Sequence, residues 1–88
     1  NDVVEFSATV SPNPTKGIVR LSVKSVVNNN AVVNVTDMNG KLVMTKKVSL
    51  NTGFNYAELN LASFANGLYH VEVITGSSKK SLKVILVK

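Results

Sequence analysis

The residue types that carry out most protein chemistry are scarce in this 88-residue chain. It has no cysteine and a single histidine, His70, and its five carboxylates lie one at a time along the sequence. His70 is two residues from Glu72, so both belong to the presumed outward face of one strand. A catalytic base needs a partner within hydrogen-bond reach, and no motif pairs His70 with a nucleophile. We therefore predict a surface histidine, no catalytic residues and no enzyme activity.

A possible metal motif begins at Asp37, in the run Asp37-Met38-Asn39-Gly40. This run resembles the start of a calcium loop, which needs alternating oxygen ligands and a bidentate glutamate at its twelfth position. Val48 occupies that position. We predict instead a plain hairpin in which Asp37 hydrogen-bonds amides of the turn, with no metal and no cofactor.

The formal net charge of +5 raises the question of a nucleic-acid partner. The basic residues are spread over several segments, apart from one cluster at Lys79, Lys80, Lys83 and Lys88. Binding of single strands usually adds exposed aromatic rings, and most of the few aromatics here fall at inward positions. No run approaches the ~20 apolar residues that span a bilayer. We predict no nucleic-acid partner and no direct membrane insertion.

Alternation of apolar and polar residues predicts seven strands. Turn residues separate them, and a short turn of helix is expected at 62–66. Both faces of the last strand are apolar at Ile85 and Val87, which suggests burial between layers or an adhesive edge. The fold class is therefore all-β, an immunoglobulin-like antiparallel β-sandwich of about seven strands. The predicted strands are 3–10, 19–24, 33–37, 42–50, 57–61, 69–74 and 82–86.

Three turn signatures stand in a fixed order along the chain. They are Pro12-Asn13-Pro14-Thr15-Lys16-Gly17, then Asp37-Met38-Asn39-Gly40-Lys41, then Asn66-Gly67-Leu68-Tyr69. Together with a lysine-bearing last strand, this order resembles the C-terminal sorting domain of type IX secretion substrates, from about Val10 to Lys88. Each signature alone is weak evidence for this family, and the three in this order form a fairly specific pattern.

The resemblance implies a signal that directs folded cargo across the outer membrane of a Gram-negative bacterium. Cargo would pass through the periplasm and finish secreted or at the cell surface. The implied partners are the type IX translocon, its shuttle protein and a sortase-like cysteine peptidase, which removes the domain and attaches the cargo to lipopolysaccharide. On this basis residues 1–88 are expected to be a single C-terminal sorting domain, excised from a larger precursor and cut at or before Asn1-Asp2.

We expect the partner-recognition residues to come from the three signatures and the last strand. A transferable signal should have an exposed strand edge or groove, and residues 83–88 with the corner at Gly67 offer one, by β-augmentation or groove binding. The expected set is Pro12, Asn13, Pro14, Gly17, Asp37, Asn39, Gly40, Lys41, Gly67, Tyr69, Lys83 and Lys88.

Two other functions fit the same fold class. The first is an accessory immunoglobulin-like or fibronectin-like module of a secreted enzyme or adhesin, which spaces or stabilises its neighbours. The second is carbohydrate binding, for which Tyr56 is the better candidate for an exposed ring. A homodimer through an open edge strand is also consistent with the sequence.

Overall fold

The computed structural model describes residues 6–26, 28–76 and 78–88. In this part of the chain seven strands form two antiparallel sheets, which confirms the predicted all-β sandwich. The strands are β1 Phe6–Ser11, β2 Ile18–Ser25, β3 Asn29–Thr36, β4 Leu42–Leu50, β5 Gly53–Asn60, β6 Gly67–Thr75 and β7 Ser78–Leu86.

The strands divide into a three-stranded sheet and a four-stranded sheet. The first has the order β1-β2-β5, and the second has the order β4-β3-β6-β7. β3 and β4 are antiparallel neighbours, as the Asn39-Gly40 turn predicts. β1, β5, β4 and β7 are therefore the edge strands, and the central strands β2, β3 and β6 carry most of the core.

The core lies between the sheets and follows the two-residue alternation of the sequence. β2, β3 and β6 bury every second residue, with valine at most of these positions. Valine suits this environment because its branched side chain packs well on a pleated surface. The buried apolar residues are Phe6, Val19, Leu21, Val23, Ala31, Val33, Val35, Leu50, Leu59, Leu61, Tyr69, Val71, Val73, Val84 and Leu86.

Several predicted boundaries are wrong. β3 begins at Asn29, within the asparagine run that was expected to be a loop, and β7 begins at Ser78. Residues 62–64 form a turn, and no helix occurs in the described residues. The first predicted strand covers 3–10, of which 3–5 lie outside the described residues.

β5 also begins four residues earlier than predicted, at Gly53 and not at Ala57. Phe54 and Tyr56 alternate with Asn55 and Ala57, but the two aromatic rings face solvent, with 66% and 63% of their surfaces exposed. The apolar residues in this half of β5 are therefore on the outward face. A pattern of inward apolar residues does not predict such a segment as part of the strand. The prediction that Tyr56 is exposed is confirmed.

Two other departures from simple alternation have clear places in the sandwich. Lys46 lies on the same face of β4 as Met44, and its Nζ donates a hydrogen bond of 3.2 Å to the Glu58 carbonyl oxygen of β5. A lysine on the inner face of an edge strand discourages pairing with another chain. Ile85 and Val87 are 45% and 52% exposed, so they are not buried between layers.

Among the described residues there is no helix of the length and apolar character needed to cross a membrane.

Candidate recognition site

Strand register places all three turn signatures at one end of the sandwich, which we call the motif end. In the four-stranded sheet, Thr36 pairs with His70 and Gly67 pairs with Leu86, so the turn at 37–41, the start of β6 and the end of β7 lie together. In the other sheet, Ser11 pairs with Arg20, and the next strand ends at the same level. The loops 12–17 and 61–66 therefore lie at the motif end too.

The loop 12–17 is hydrogen-bonded to the outer edge of β7. Pro12 and Pro14 have no backbone N–H to donate, and the Asn13 side chain supplies both a donor and an acceptor in their place. Its Nδ2 donates to the Lys83 carbonyl oxygen at 2.7 Å, and its Oδ1 accepts from the Ile85 N–H at 3.0 Å. The Ser11-Pro12 and Asn13-Pro14 peptide bonds are both cis.

Thr15 extends this pairing towards the end of the chain. Its N–H donates to the Ile85 carbonyl oxygen at 2.8 Å, and its carbonyl oxygen accepts from the Val87 N–H at 2.9 Å. The Thr15 side chain is buried, and its Oγ1 donates to the Ile18 carbonyl oxygen and accepts from the Gly17 N–H. One loop thus hydrogen-bonds the backbone of three residues of the C-terminal segment.

Gly17 lets the loop 12–17 approach the loop 61–66. Its carbonyl oxygen accepts a 2.6 Å hydrogen bond from the Leu61 N–H. A Cβ at position 17 would lie 3.0 Å from the Ala62 Cβ and 3.3 Å from the Ala62 Cα. A side chain is therefore excluded at position 17 unless Ala62 moves.

The loop 61–66 in turn holds the last residue. The Lys88 N–H donates to Asn66 Oδ1 at 3.0 Å, and Lys88 Nζ donates to the Ala62 carbonyl oxygen at 3.1 Å. Tyr69 is buried below the loop, and its hydroxyl donates to the Ala65 carbonyl oxygen. Gly67 has a φ of 154°, which residues with a side chain rarely adopt.

The turn at 37–41 is a three-residue hairpin loop with Gly40 at a φ of 82°. Asp37 and Lys41 close it through the Asp37 N–H and the Lys41 carbonyl oxygen. Asp37 Oδ1 accepts hydrogen bonds from the Asn39 N–H at 2.9 Å and the Lys41 N–H at 3.0 Å. The predicted hairpin, with Asp37 bonded to turn amides, is confirmed.

The predicted recognition residues differ in whether a partner could touch them. Tyr69 and Gly17 are buried, so they shape the motif end from inside. Lys83 is exposed on the outer face of β7 opposite His70, away from the tip. Asp37 and Gly67 are half-buried, and the predicted residues that present exposed surface at the motif end are Pro12, Asn13, Pro14, Asn39, Gly40, Lys41 and Lys88.

A shallow open groove lies beside the loop 12–17. Its walls combine apolar surface from both prolines and Ile18 with the charge of Lys16. The lining residues are Pro12, Pro14, Thr15, Lys16, Gly17, Ile18 and Ala62.

The charge distribution at the motif end is basic and offers no metal site. Lys16, Lys41 and Lys88 are exposed there, and Asp37 is the acidic residue of the three turn signatures. Over residues 6–26, 28–76 and 78–88, no group of three His, Cys, Asp or Glu side chains could hold a metal ion.

His70 is half-buried on the outer face of its strand, as predicted, between Thr36 and Lys83 in register.

The sequence did not predict the contact between the loop 12–17 and β7. The feature of the sequence that could have indicated this contact is an asparagine placed between two prolines, where a side-chain amide can replace the backbone groups of a strand. The partner strand, about seventy residues away, carries no complementary mark, because the Lys83 and Ile85 groups involved belong to the backbone.

Comparison with protein families matches residues 9–88 to the secretion system C-terminal sorting domain, the sorting domain of type IX secretion. The chain belongs to this family. It carries a type IX sorting signal, which implies export to the cell surface or to the medium. No curated protein matches the chain.

Solved structures of similar fold include a β-glucosidase from Listeria innocua. In complex with glucose it is 20% identical, with a TM-score of 0.54 over 97% of this chain and 16% of that one. The same enzyme in complex with isofagomine is 21% identical, with a TM-score of 0.55 over 94% of this chain and 16% of that one. At this identity the likeness concerns the fold, and the sorting domain spans about a sixth of the length of those enzymes.

Proposed function

We propose that the motif end is the surface by which the type IX translocon and its shuttle protein recognise this sorting domain. The observation that carries the proposal is the set of bonds from Asn13 and Thr15 to residues 83–87. These bonds bring a signature near the start of the sequence and the last strand together into one surface. A partner that contacts this surface reads a folded domain, because an unfolded chain does not bring the signatures together.

Groove binding explains recognition better than β-augmentation at the end of β7. The outward backbone groups of Lys83, Ile85 and Val87 are engaged by the loop 12–17. An added strand would have to displace that loop and its buried Thr15. The exposed residues beside the groove instead offer prolines, an amide and lysines, a surface suited to an extended, acidic segment of a partner.

The sorting domain serves as a signal and a peptidase substrate, and it catalyses no step of export. In this proposal the cargo precedes residue 1, and a sortase-like cysteine peptidase cuts at or before Asn1-Asp2. A lipopolysaccharide attachment then falls on the cargo and not on this domain. An edge-strand homodimer would use β1, β4, β5 or the first part of β7, since the end of β7 is occupied.

Export of a fused reporter tests the proposal. Residues 1–88 are fused to a periplasmic reporter in a host with the type IX pathway, and reporter at the cell surface is measured. We expect Lys41→Glu combined with Lys88→Glu to leave the reporter folded in the periplasm. Lys47→Glu combined with Lys80→Glu, two exposed charge reversals on β4 and β7 away from the motif end, is the matched control and should be exported normally.

Deleting the last five residues is a poorer test, because Val84 and Leu86 are fully buried and their loss unfolds the domain. Circular dichroism and thermal melts of each charge variant separate misfolding from lost recognition. Normal export of a folded Lys41→Glu, Lys88→Glu variant would reject the motif end as the recognition surface.

The accessory-module alternative predicts a different outcome in the same assay. The fold likeness to part of a larger β-glucosidase is compatible with a module that stabilises its neighbour. Such a module confers no export on an unrelated reporter. If residues 1–88 fail to export the reporter while the full precursor is exported, the accessory function is the better one.

A further inference from the structure

The outer face of the three-stranded sheet, which we call the aromatic face, is built in three cross-strand rows. Each row takes one residue from β1, one from β2 and one from β5, in register. The rows are Ser7–Lys24–Phe54, Thr9–Ser22–Tyr56 and Ser11–Arg20–Glu58.

We propose that the aromatic face binds an acidic polysaccharide. Phe54 and Tyr56 are two residues apart on one strand, so their Cα atoms lie about 7 Å apart on the same face. Both rings are about two thirds exposed. Exposed rings of this size are unusual on a small domain without a binding role, and a glycan of two or more sugar units can cover both.

The polar groups around the rings match the chemistry of such a ligand. The β1 side of the face consists of hydroxyls, from Ser7, Thr9 and Ser11, which donate to and accept from sugar hydroxyls. Lys24 Nζ lies 5.5 Å from the Phe54 ring centroid, so this cation is held next to an aromatic ring. Arg20 provides a second cation one row beyond Tyr56.

Charge on the aromatic face selects an acidic glycan over a neutral one. Among the described residues of the aromatic face, Lys24 and Arg20 accompany one carboxylate, Glu58, so this part of the face is positive, as is the whole chain. The carboxylates of a polyuronate complement this charge. Two exposed apolar residues flank the rings: Ile18, at the start of β2, lies beyond the row of Arg20 and Glu58, and Val26 follows β2 next to the row of Lys24 and Phe54.

The other outer face provides an internal comparison. The rows of the four-stranded sheet that correspond to it contain Lys47–Val32–Ile74–Lys79 and Thr45–Asn34–Glu72–Ser81, with no aromatic ring. The proposed site is therefore a property of one sheet; its row Ser11–Arg20–Glu58 borders the motif end, and the two rings lie further along the strands. Its failure and the failure of the sorting proposal are consequently distinguishable.

Affinity electrophoresis in native gels containing alginate, a polyuronate, tests the site, with dextran as the neutral polysaccharide. We expect alginate at moderate salt to retard the domain, and Tyr56→Ala or Phe54→Ala to weaken binding roughly threefold to tenfold, as for a lost stacked ring. Lys24→Ala should weaken alginate binding too. Lys47→Ala removes an equal charge from the other sheet and should leave the affinity within about twofold if binding is local to the aromatic face.

Equal weakening by Lys47→Ala and Lys24→Ala, with no effect of either ring substitution, would show attraction of any polyanion by a basic protein and overturn the proposal. The proposal also fails if alginate does not retard the wild-type domain. Tighter, ring-dependent binding of oligo(dT) than of alginate would assign the aromatic face to single-stranded nucleic acid instead. Because both rings are exposed, the variants should keep the wild-type melting temperature, which thermal melts check.

Discussion

The two ends of the sandwich are closed in different ways. At the motif end, Asn13 bonds Lys83 and Ile85 across 70 and 72 residues of sequence. At the opposite end, Asn55 Nδ2 bonds the carbonyl oxygens of Gly53, Asn51 and Val23, two, four and 32 residues away, and the Thr52 N–H bonds Asn28 Oδ1 across 24 residues. The same side-chain chemistry thus closes both ends, but over longer stretches of sequence at the motif end.

The difference matters because a distant contact forms only after the chain between its partners is ordered. Within the described ranges, the side-chain hydrogen bonds at the opposite end join segments at most 45 residues apart, whereas the motif end joins segments about seventy residues apart. The proposed recognition surface therefore depends on complete folding. A substitution at the motif end should affect residues far away in sequence, and one at the opposite end should affect residues closer in sequence.

The largest expected effect is that of Gly17→Val. The added side chain must displace Ala62, and overpacking of this kind costs about 1–3 kcal/mol of unfolding free energy. The melting temperature of a domain this size should fall by roughly 4–8 °C for each kcal/mol. Thermal unfolding followed by circular dichroism measures it.

Gly17→Ala with and without Ala62→Gly provides the control for that clash. The double variant should recover part of the stability lost by Gly17→Ala, because it removes the Cβ that lies 3.0 Å away. Equal stability of wild-type and Gly17→Val would mean that the two loops are not in close contact.

A smaller effect is expected from Asn13→Ala. The variant loses two hydrogen bonds at an exposed position, where each should contribute towards the low end of the usual range, about 1–2 kcal/mol for the two together. Amide exchange should speed up at Ile85, and also at Val87 because Thr15 is held by the same loop. Asn30→Ala, an exposed asparagine at the opposite end, should change stability by less than about 0.5 kcal/mol.

Asn55→Ala is the counterpart at the opposite end. It removes hydrogen bonds to Asn51, Gly53 and Val23, so a comparable loss of about 1–2 kcal/mol is expected. The faster exchange should stay at the opposite end, with the largest change at the Asn51 N–H, which donates to Asn55 Oδ1. Exchange that spreads to Ile85 would contradict the separation of the two ends.

The smallest effect is expected from Glu72→Gln, which breaks the 3.5 Å ion pair with Lys79. The pair is largely solvent-exposed and should contribute at most about 1 kcal/mol, decreasing with salt. Urea unfolding at low and high salt measures this contribution. A larger loss that persists at high salt would show that Glu72 has a packing role as well.

Local patterns in the sequence predict most of the fold. The central strands are readable because residues such as Val33, Val35, Val71 and Val73 repeat every second position and are buried. The turn at 37–41 is readable because Asp37 bonds amides close to it in sequence. β5 was misplaced at its start because Phe54 and Tyr56 put apolar surface on the outer face.

The candidate site could be predicted only in part. The family resemblance, now shown by the family match, marks the signatures without explaining why they occur together. The reason is the bonding of Asn13 and Thr15 to β7, which uses backbone groups and so leaves no complementary pattern in residues 83–87. The burial of Tyr69 is readable because Tyr69 alternates with Val71 and Val73, whereas the burial of Gly17 follows only from the packing of the loop 61–66.

The engagement of residues 83–87 by the loop 12–17 has a consequence during protein synthesis. These residues leave the ribosome about seventy residues after the loop that bonds them, so the motif end cannot close until they have been made. If the motif end is the recognition surface, as proposed, a polypeptide that stops short of these residues is not recognised. The geometry would then act as quality control, restricting export to chains in which both segments are present and folded together.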